Sequence, residues 1–294
     1  MEDSDYPQLF QISDKGSKEA QKRYLCLVKV ELTVIILAAI SSNININYLK
    51  FEKILYSATA IFLFFALIAR IFKELIGYDK QWFNCRAIAE SVKSITWKYM
   101  IQAKPYQDSM TPEELDGKFI EDLKQIRAKK LAAAKKLGKQ NITGSEITQK
   151  MRDVRNESFN ERKSFYLEDR LENQKKWYSE KTKINKTKET SYFWISLSIE
   201  AVAVILAFLF LSIPSIKINP VGILITIVAV IIAWSQIKKH RELSQSYCLV
   251  AQELGQISSM YIHINNEEKL SNFVEETECV ISKEHNLWLY RREY

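Results

Sequence analysis

Four blocks of apolar residues limit what this chain can become. They run from about Tyr24 to Ile44, over 54–69 ("ILYSATAIFLFFALIA"), over 192–213 ("YFWISLSIEAVAVILAFLFLSI") and over 221–237 ("VGILITIVAVIIAWSQI"). At about 1.5 Å of rise per residue, a helix needs roughly 20 residues to cross a hydrocarbon core about 30 Å thick. The second and fourth blocks are a little short. However, Lys53 and Arg70 flank one, and Lys217 and Lys238 the other, so their stems can snorkel to the surfaces. A brief turn joins the blocks of each pair. The pattern predicts an all-α membrane protein with two transmembrane hairpins and long cytoplasmic helical extensions. The first block lacks signal-peptide character, since it starts too far into the chain and no small-residue cleavage site precedes a soluble domain.

Charge sets the expected orientation. The turn at 43–53 carries Lys50 and Lys53, and the turn at 214–219 carries Lys217. Segment 73–191 instead holds 26 Lys and Arg against 18 Asp and Glu, and "KKHR" follows the fourth block at 238–241. The positive-inside rule therefore places residue 140 and both termini in the cytoplasm of a multi-pass inner (plasma) membrane protein. The net charge of +7 reflects this bias and an affinity for anionic headgroups. It does not call for a nucleic-acid partner.

The hairpins repeat. "VELTVIILA" at 30–38 aligns with "IEAVAVILA" at 199–207, placing Glu31 on Glu200 at an offset of 169 residues. Beyond the hairpins the offset is 162: Ala89 meets Ala251, Val92 meets Leu254, Ile95 meets Ile257 and Tyr99 meets Tyr261. Each unit is thus a hairpin followed by a cytoplasmic helix. That helix carries a seam in both copies. Cys85, Ile88, Val92, Ile95 and Tyr99 form the first; Leu243, Tyr247, Val250, Leu254, Ile257 and Tyr261 form the second. Alternating steps of three and four residues mark a narrow, coiled-coil-like stripe. Packing within the chain and homo-oligomerisation both explain it.

The domain reading follows. A first unit covers 1–106, with its hairpin at about 24–72. A basic helical connector and linker cover 107–145. A second unit covers 146–294, with its hairpin at about 192–237. The connector offers an N-cap at Thr111, Pro112 at the first helical position and Gly138 as a stop. "GKQNITGS" at 138–145 is the candidate linker. Between Ser145 and Ile213 there is neither glycine nor proline, so one helix is expected from around Glu157 into the membrane.

Catalytic chemistry finds little support. No GxxxxGK[ST], HExxH or GxSxG is present. Cys26, Cys85, Cys248 and Cys279 form no CxxC, so neither a disulfide framework nor a zinc site is indicated, and no cofactor is implied. The densest polar-aromatic group is Glu278, Glu284, His285 and Trp288, which reads as an interhelical contact. An enzyme is not expected.

The chain resembles the SLATT proteins, two-transmembrane effector modules associated with SMODS nucleotidyltransferases and SLOG sensors in prokaryotic conflict systems. In the first unit the match is carried by "YPQLFQISDKGSKEAQKRYL" and "WFNCRAIAESVKSITWKYMIQAKPY", with Arg86, Ala89, Glu90, Lys93, Ser94, Trp97 and Tyr99 in pattern. In the second, "ITQKMRDVRNESFNERKSFYLEDRLENQKKWY" and "FVEETECVISKEH" with Trp288 supply Arg170, Gln174, Trp177, Tyr178, Glu278, Glu284 and Trp288. The resemblance implies a tandem of two units and a defence effector that forms a pore or disrupts the bilayer. Its trigger would be an upstream sensor protein or a nucleotide signal. The alternative is a membrane-anchored helical scaffold that recruits or positions a cytoplasmic partner.

Glu31 and Glu200 are the candidate intramembrane acids, about 10–12 Å inside the cytoplasmic ends of their helices. A charge at such a depth costs a few kcal/mol unless it faces water or a partner. A ring of carboxylates lining a cation path in an oligomer is one reading. Helix–helix contact, for example Glu31 with Arg70, is the other.

Overall fold

The computed structural model describes residues 1–44, 49–107, 110–129, 144–212 and 220–293. Side chains are not described for 49–50, 129, 211–212 and 283–293. Among the described residues the fold is helical, with no strand. The main elements are α1 (Gln8–Asn43), α2 (Leu49–Ile76), α3 (Tyr78–Met100) and α4 (Pro112–Lys129). They continue with α5 (Gln149–Arg155), α6 (Phe159–Phe165), a π-helical stretch (Tyr166–Glu172) and α7 (Asn173–Ser212). The last three are α8 (Val221–Lys238), α9 (His240–Ser259) and α10 (Glu267–Glu293).

Local chemistry explains the boundaries. Thr111 caps α4: its Oγ1 accepts from the Glu114 amide at 3.3 Å, and the Glu114 carboxylate accepts from the Thr111 amide at 2.9 Å. Ser158 and Glu161 form the same reciprocal box before α6. With no breaker beyond it, helix runs from Phe159 to Phe210, as the missing glycine and proline predict. The expected stop at Gly138 and most of the 138–145 linker lie outside the described residues, as do Lys217 and residue 140; for Lys50 this holds of the side chain.

The repeat is written into the helix ends. The first helices of the two hairpins end at Asn43 and Ser212, again 169 residues apart. The second helices end at Ile76 and Lys238, 162 apart, and each is followed by one residue with left-handed backbone. These are Gly77 (φ 64) and Lys239 (φ 51). Glycine adopts that conformation without steric cost, whereas lysine does not, so the joint is kept in the second copy although its natural residue is not.

By its contacts the chain forms two compact units. The membrane unit comprises Lys22–Tyr78 and Lys183–Ser244, the helical body Met1–Gln21, Asp79–Thr182 and Gln245–Tyr294. Four helices are long and apolar enough to cross a membrane. In the membrane unit Phe64, Phe65, Ile205 and Phe208 are exposed, as suits a surface solvated by lipid. Small or polar groups make the close contacts there. Ser41 and Thr59 hydroxyls lie 2.7 Å apart. At Gly222 an added Cβ would come within 2.9 Å of the Asn43 amide oxygen.

The body buries a continuous apolar core. Ile88, Val92 and Tyr99 from the first seam share it with Val250, Leu254 and Ile257 from the second, with Ile95, Tyr247 and Tyr261 packed against it. Cys85 is fully buried and Leu243 half-buried. Truncating such a buried Leu or Ile costs about 2–5 kcal/mol. Charged replacements at Leu254 and Ile257 should therefore lower the melting temperature in detergent far more than those at exposed Gln252 and Gln256. Equal tolerance at all four positions would contradict the packing described.

Candidate functional site

The helical body is organised around a buried ion pair. Arg170 and Glu278 are each 1% exposed. Arg170 Nε donates to Glu278 Oε1 at 2.8 Å and its Nη2 to Oε2 at 2.7 Å, a two-pronged geometry that a planar guanidinium matches to a carboxylate. Tyr166 donates its hydroxyl to Glu278 Oε1 at 3.1 Å. Trp97 lies 6.0 Å from the guanidinium, and its Nε1–H donates to Tyr6 Oη at 3.1 Å. Tyr166, Arg170 and Leu171 are the buried residues of the π-helical stretch. A wider turn changes which side chains share a face, and such turns often mark functional positions.

Electrostatics fit this burial. Desolvation would disfavour the Arg170 charge, but the Glu278 carboxylate outweighs it and raises the guanidinium pKa further. Burial pushes the Tyr6 phenol up to about 12. Lys93, whose Nζ sits 5.3 Å from the Tyr6 ring centroid, is pushed down by burial and by Arg170.

Two more buried arginines tie the same stretch of chain to the end of α3. Arg155 Nη1 donates to the Tyr99 carbonyl at 2.6 Å, and Arg162 Nη1 to the Ile101 carbonyl at 2.8 Å. Carbonyls at a helix C-terminus lack intrahelical partners and carry the negative end of the dipole, so cations belong there. Tyr99 in turn donates to Asp116 of α4 at 2.7 Å.

The residues singled out from sequence fall as follows. Trp97, Arg170 and Glu278 come together in the node. Arg86 and Glu90 form an ion pair at 3.4 Å. Trp177 packs edge-on against Tyr178 and Tyr247 at 5.0 and 5.4 Å; Gln174 is half-buried. The side chains of Glu284, His285 and Trp288 lie outside the described residues. Tyr6, Arg155, Arg162 and Tyr166 were not singled out as site residues. For Arg162 and Tyr166 the signal on offer is their four-residue spacing, continued by Arg170, along the helix that starts at Phe159.

The membrane unit treats its two glutamates differently. Glu31 receives Lys73 Nζ at 2.7 Å, with the side chains 16% and 19% exposed. The partner is Lys73 rather than the expected Arg70, one turn earlier on α2, which is exposed. At the offset of 162 that the joints obey, Lys73 corresponds to Ser235. Accordingly Glu200 is exposed, and no hydrogen bond or ion pair engages it among the described residues. It lines a groove of about 560 Å³ with Ser196, Leu197, Ile232 and Ser235.

Two pairs of helices long and apolar enough to span a bilayer, continuous in sequence with one helical body, define an all-α protein of the membrane class. The family described as "SMODS and SLOG-associating 2TM effector domain 3" matches residues 7–163, and "domain 1" of the same series matches residues 166–288. The chain belongs to the SLATT family, as two tandem domains. These are two-transmembrane effector domains associated with defence systems. No curated protein and no solved structure matches the chain.

Proposed function

We propose that this chain is a non-enzymatic defence effector of the inner membrane, with both termini cytoplasmic. It assembles with copies of itself and opens a path through the bilayer when an upstream sensor or a nucleotide signal acts on the helical body. The observation that carries this reading is Glu200. An unpaired carboxylate at membrane depth costs up to about 3 kcal/mol on insertion scales, and such residues generally face water or another helix. Within a single membrane unit this one stays exposed in its groove. The tandem of effector domains and the basic excess in 73–191 support the same reading.

Purified protein in liposomes is expected to release ions or dye once the trigger is supplied, with candidate nucleotides as the first triggers to try. A scaffold that recruits a cytoplasmic partner is the second reading. It is favoured by a groove of about 630 Å³ on the body, lined by Glu253, Glu275 and Glu276, whose charge suits a basic segment. Triggered protein that binds a partner but leaves liposomes sealed would favour it. For orientation, single cysteines replacing Lys50 and Lys217 should react with an impermeant thiol reagent outside intact cells, while one at residue 140 stays silent. The opposite labelling would reverse the topology.

A further inference from the structure

We infer that Glu200 is completed by Arg70 of a second copy of this chain. Glu200 on α7 and Arg70 on α2 are exposed, opposite in sign and well inside their helices, and no hydrogen bond or ion pair engages either among the described residues. Glu200 has a counterpart in Glu31, but the second hairpin lacks the cation that closes the first pair. The position equivalent to Lys73 is Ser235, which cannot neutralise Glu200, and the position equivalent to Arg70 is Ile232, which lines the Glu200 groove. The first hairpin is therefore left with a spare cation and the second with a spare carboxylate.

Their depths agree. Glu200 stands where Glu31 does in its helix, twelve residues before the end, and Glu31 is level enough with Lys73 for a 2.7 Å contact. Arg70 lies three residues from Lys73, about 4.5 Å further into the membrane, a distance its long side chain covers by reaching toward the surface. A lipid is a poorer occupant of the groove. Its phosphate is repelled by Glu200, the groove's cations Lys186 and Arg241 are already paired with Glu189, and a headgroup ammonium sits at the surface rather than a turn below it. Because Glu200 and Arg70 occupy different patches, a two-fold pair satisfies both contacts, and head-to-tail repetition builds a ring.

The inference rests on the four-span insertion and self-assembly of the proposed function but not on its path through the bilayer, so its test does not depend on conduction. Differently tagged copies carrying Glu200→Arg or Arg70→Glu are expressed alone and together, and solubilised in mild detergent. Alone, each variant sets like charges against each other and should lose its assembly. Together, arginine at 200 meets glutamate at 70 and the native pair meets across the other contact, so co-purification should return. An internal pair within one chain could not be rescued this way. Assembly of either variant alone at the wild-type level, or failure of the mixture to recover, overturns the inference. A second arm guards against misfolding: Glu200→Cys on one copy and Arg70→Cys on another, in a background without native cysteines. A crosslink between unlike copies is expected; none, or only links between like positions, overturns the contact.

Discussion

Glu278→Ala is expected to remove about 3–5 kcal/mol from the stability of the helical body, the typical cost of breaking a buried ion pair from one side. The substitution leaves the Arg170 guanidinium 1% exposed with its principal acceptor gone, and it also strips the acceptor from the Tyr166 hydroxyl. At roughly 2–4 °C per kcal/mol for a body of this size, the melting temperature should fall by on the order of 10 °C. Replacing both partners with apolar residues of similar volume should cost much less, because no charge is then stranded. A single replacement that melts with the wild type would show that the pair does not hold α10 to the π-helical stretch.

Ser235→Lys is expected to have the largest effect on function. It supplies the second hairpin with the counterion that Lys73 provides in the first, at the position the 162-residue offset assigns. Glu200 should then be neutralised within its own chain, and the protein should insert and fold with undiminished stability. Assembly and bilayer permeation should both be lost, because the groove no longer needs a neighbour. Crosslinking and flux on the same preparation check this. A Ser235→Lys protein that assembles and conducts like the wild type would remove the asymmetry between hairpins from the account. A protein that fails to insert is separated from that outcome by its melting curve.

The tandem is legible in the sequence because its signals are periodic. The offsets 169 and 162 come from apolar spacing and reappear as helix ends at Asn43 and Ser212, and at Ile76 and Lys238. The four spans and the Thr111 cap were legible for the same reason: short-range rules of length, hydropathy and capping decide them. What stayed hidden is long-range or conformational. Arg170 and Glu278 are 108 residues apart, and periodicity says which face of a helix is apolar, not which other helix meets it. Glu278 was grouped instead with Glu284, His285 and Trp288, its neighbours in sequence. The choice of Lys73 over Arg70 turns on one helical turn of relative depth, which composition does not specify. The left-handed joint at Lys239 carries no glycine to announce it.

Current across a planar bilayer tests the central claim most directly. Wild-type protein with its trigger supplied should pass ions. Glu31→Gln should still do so, since that site is closed within its own hairpin, whereas Glu200→Gln, correctly inserted, should pass far less. A triggered wild-type protein that passes no current, or a Glu200→Gln protein that conducts as well as Glu31→Gln, would contradict the account.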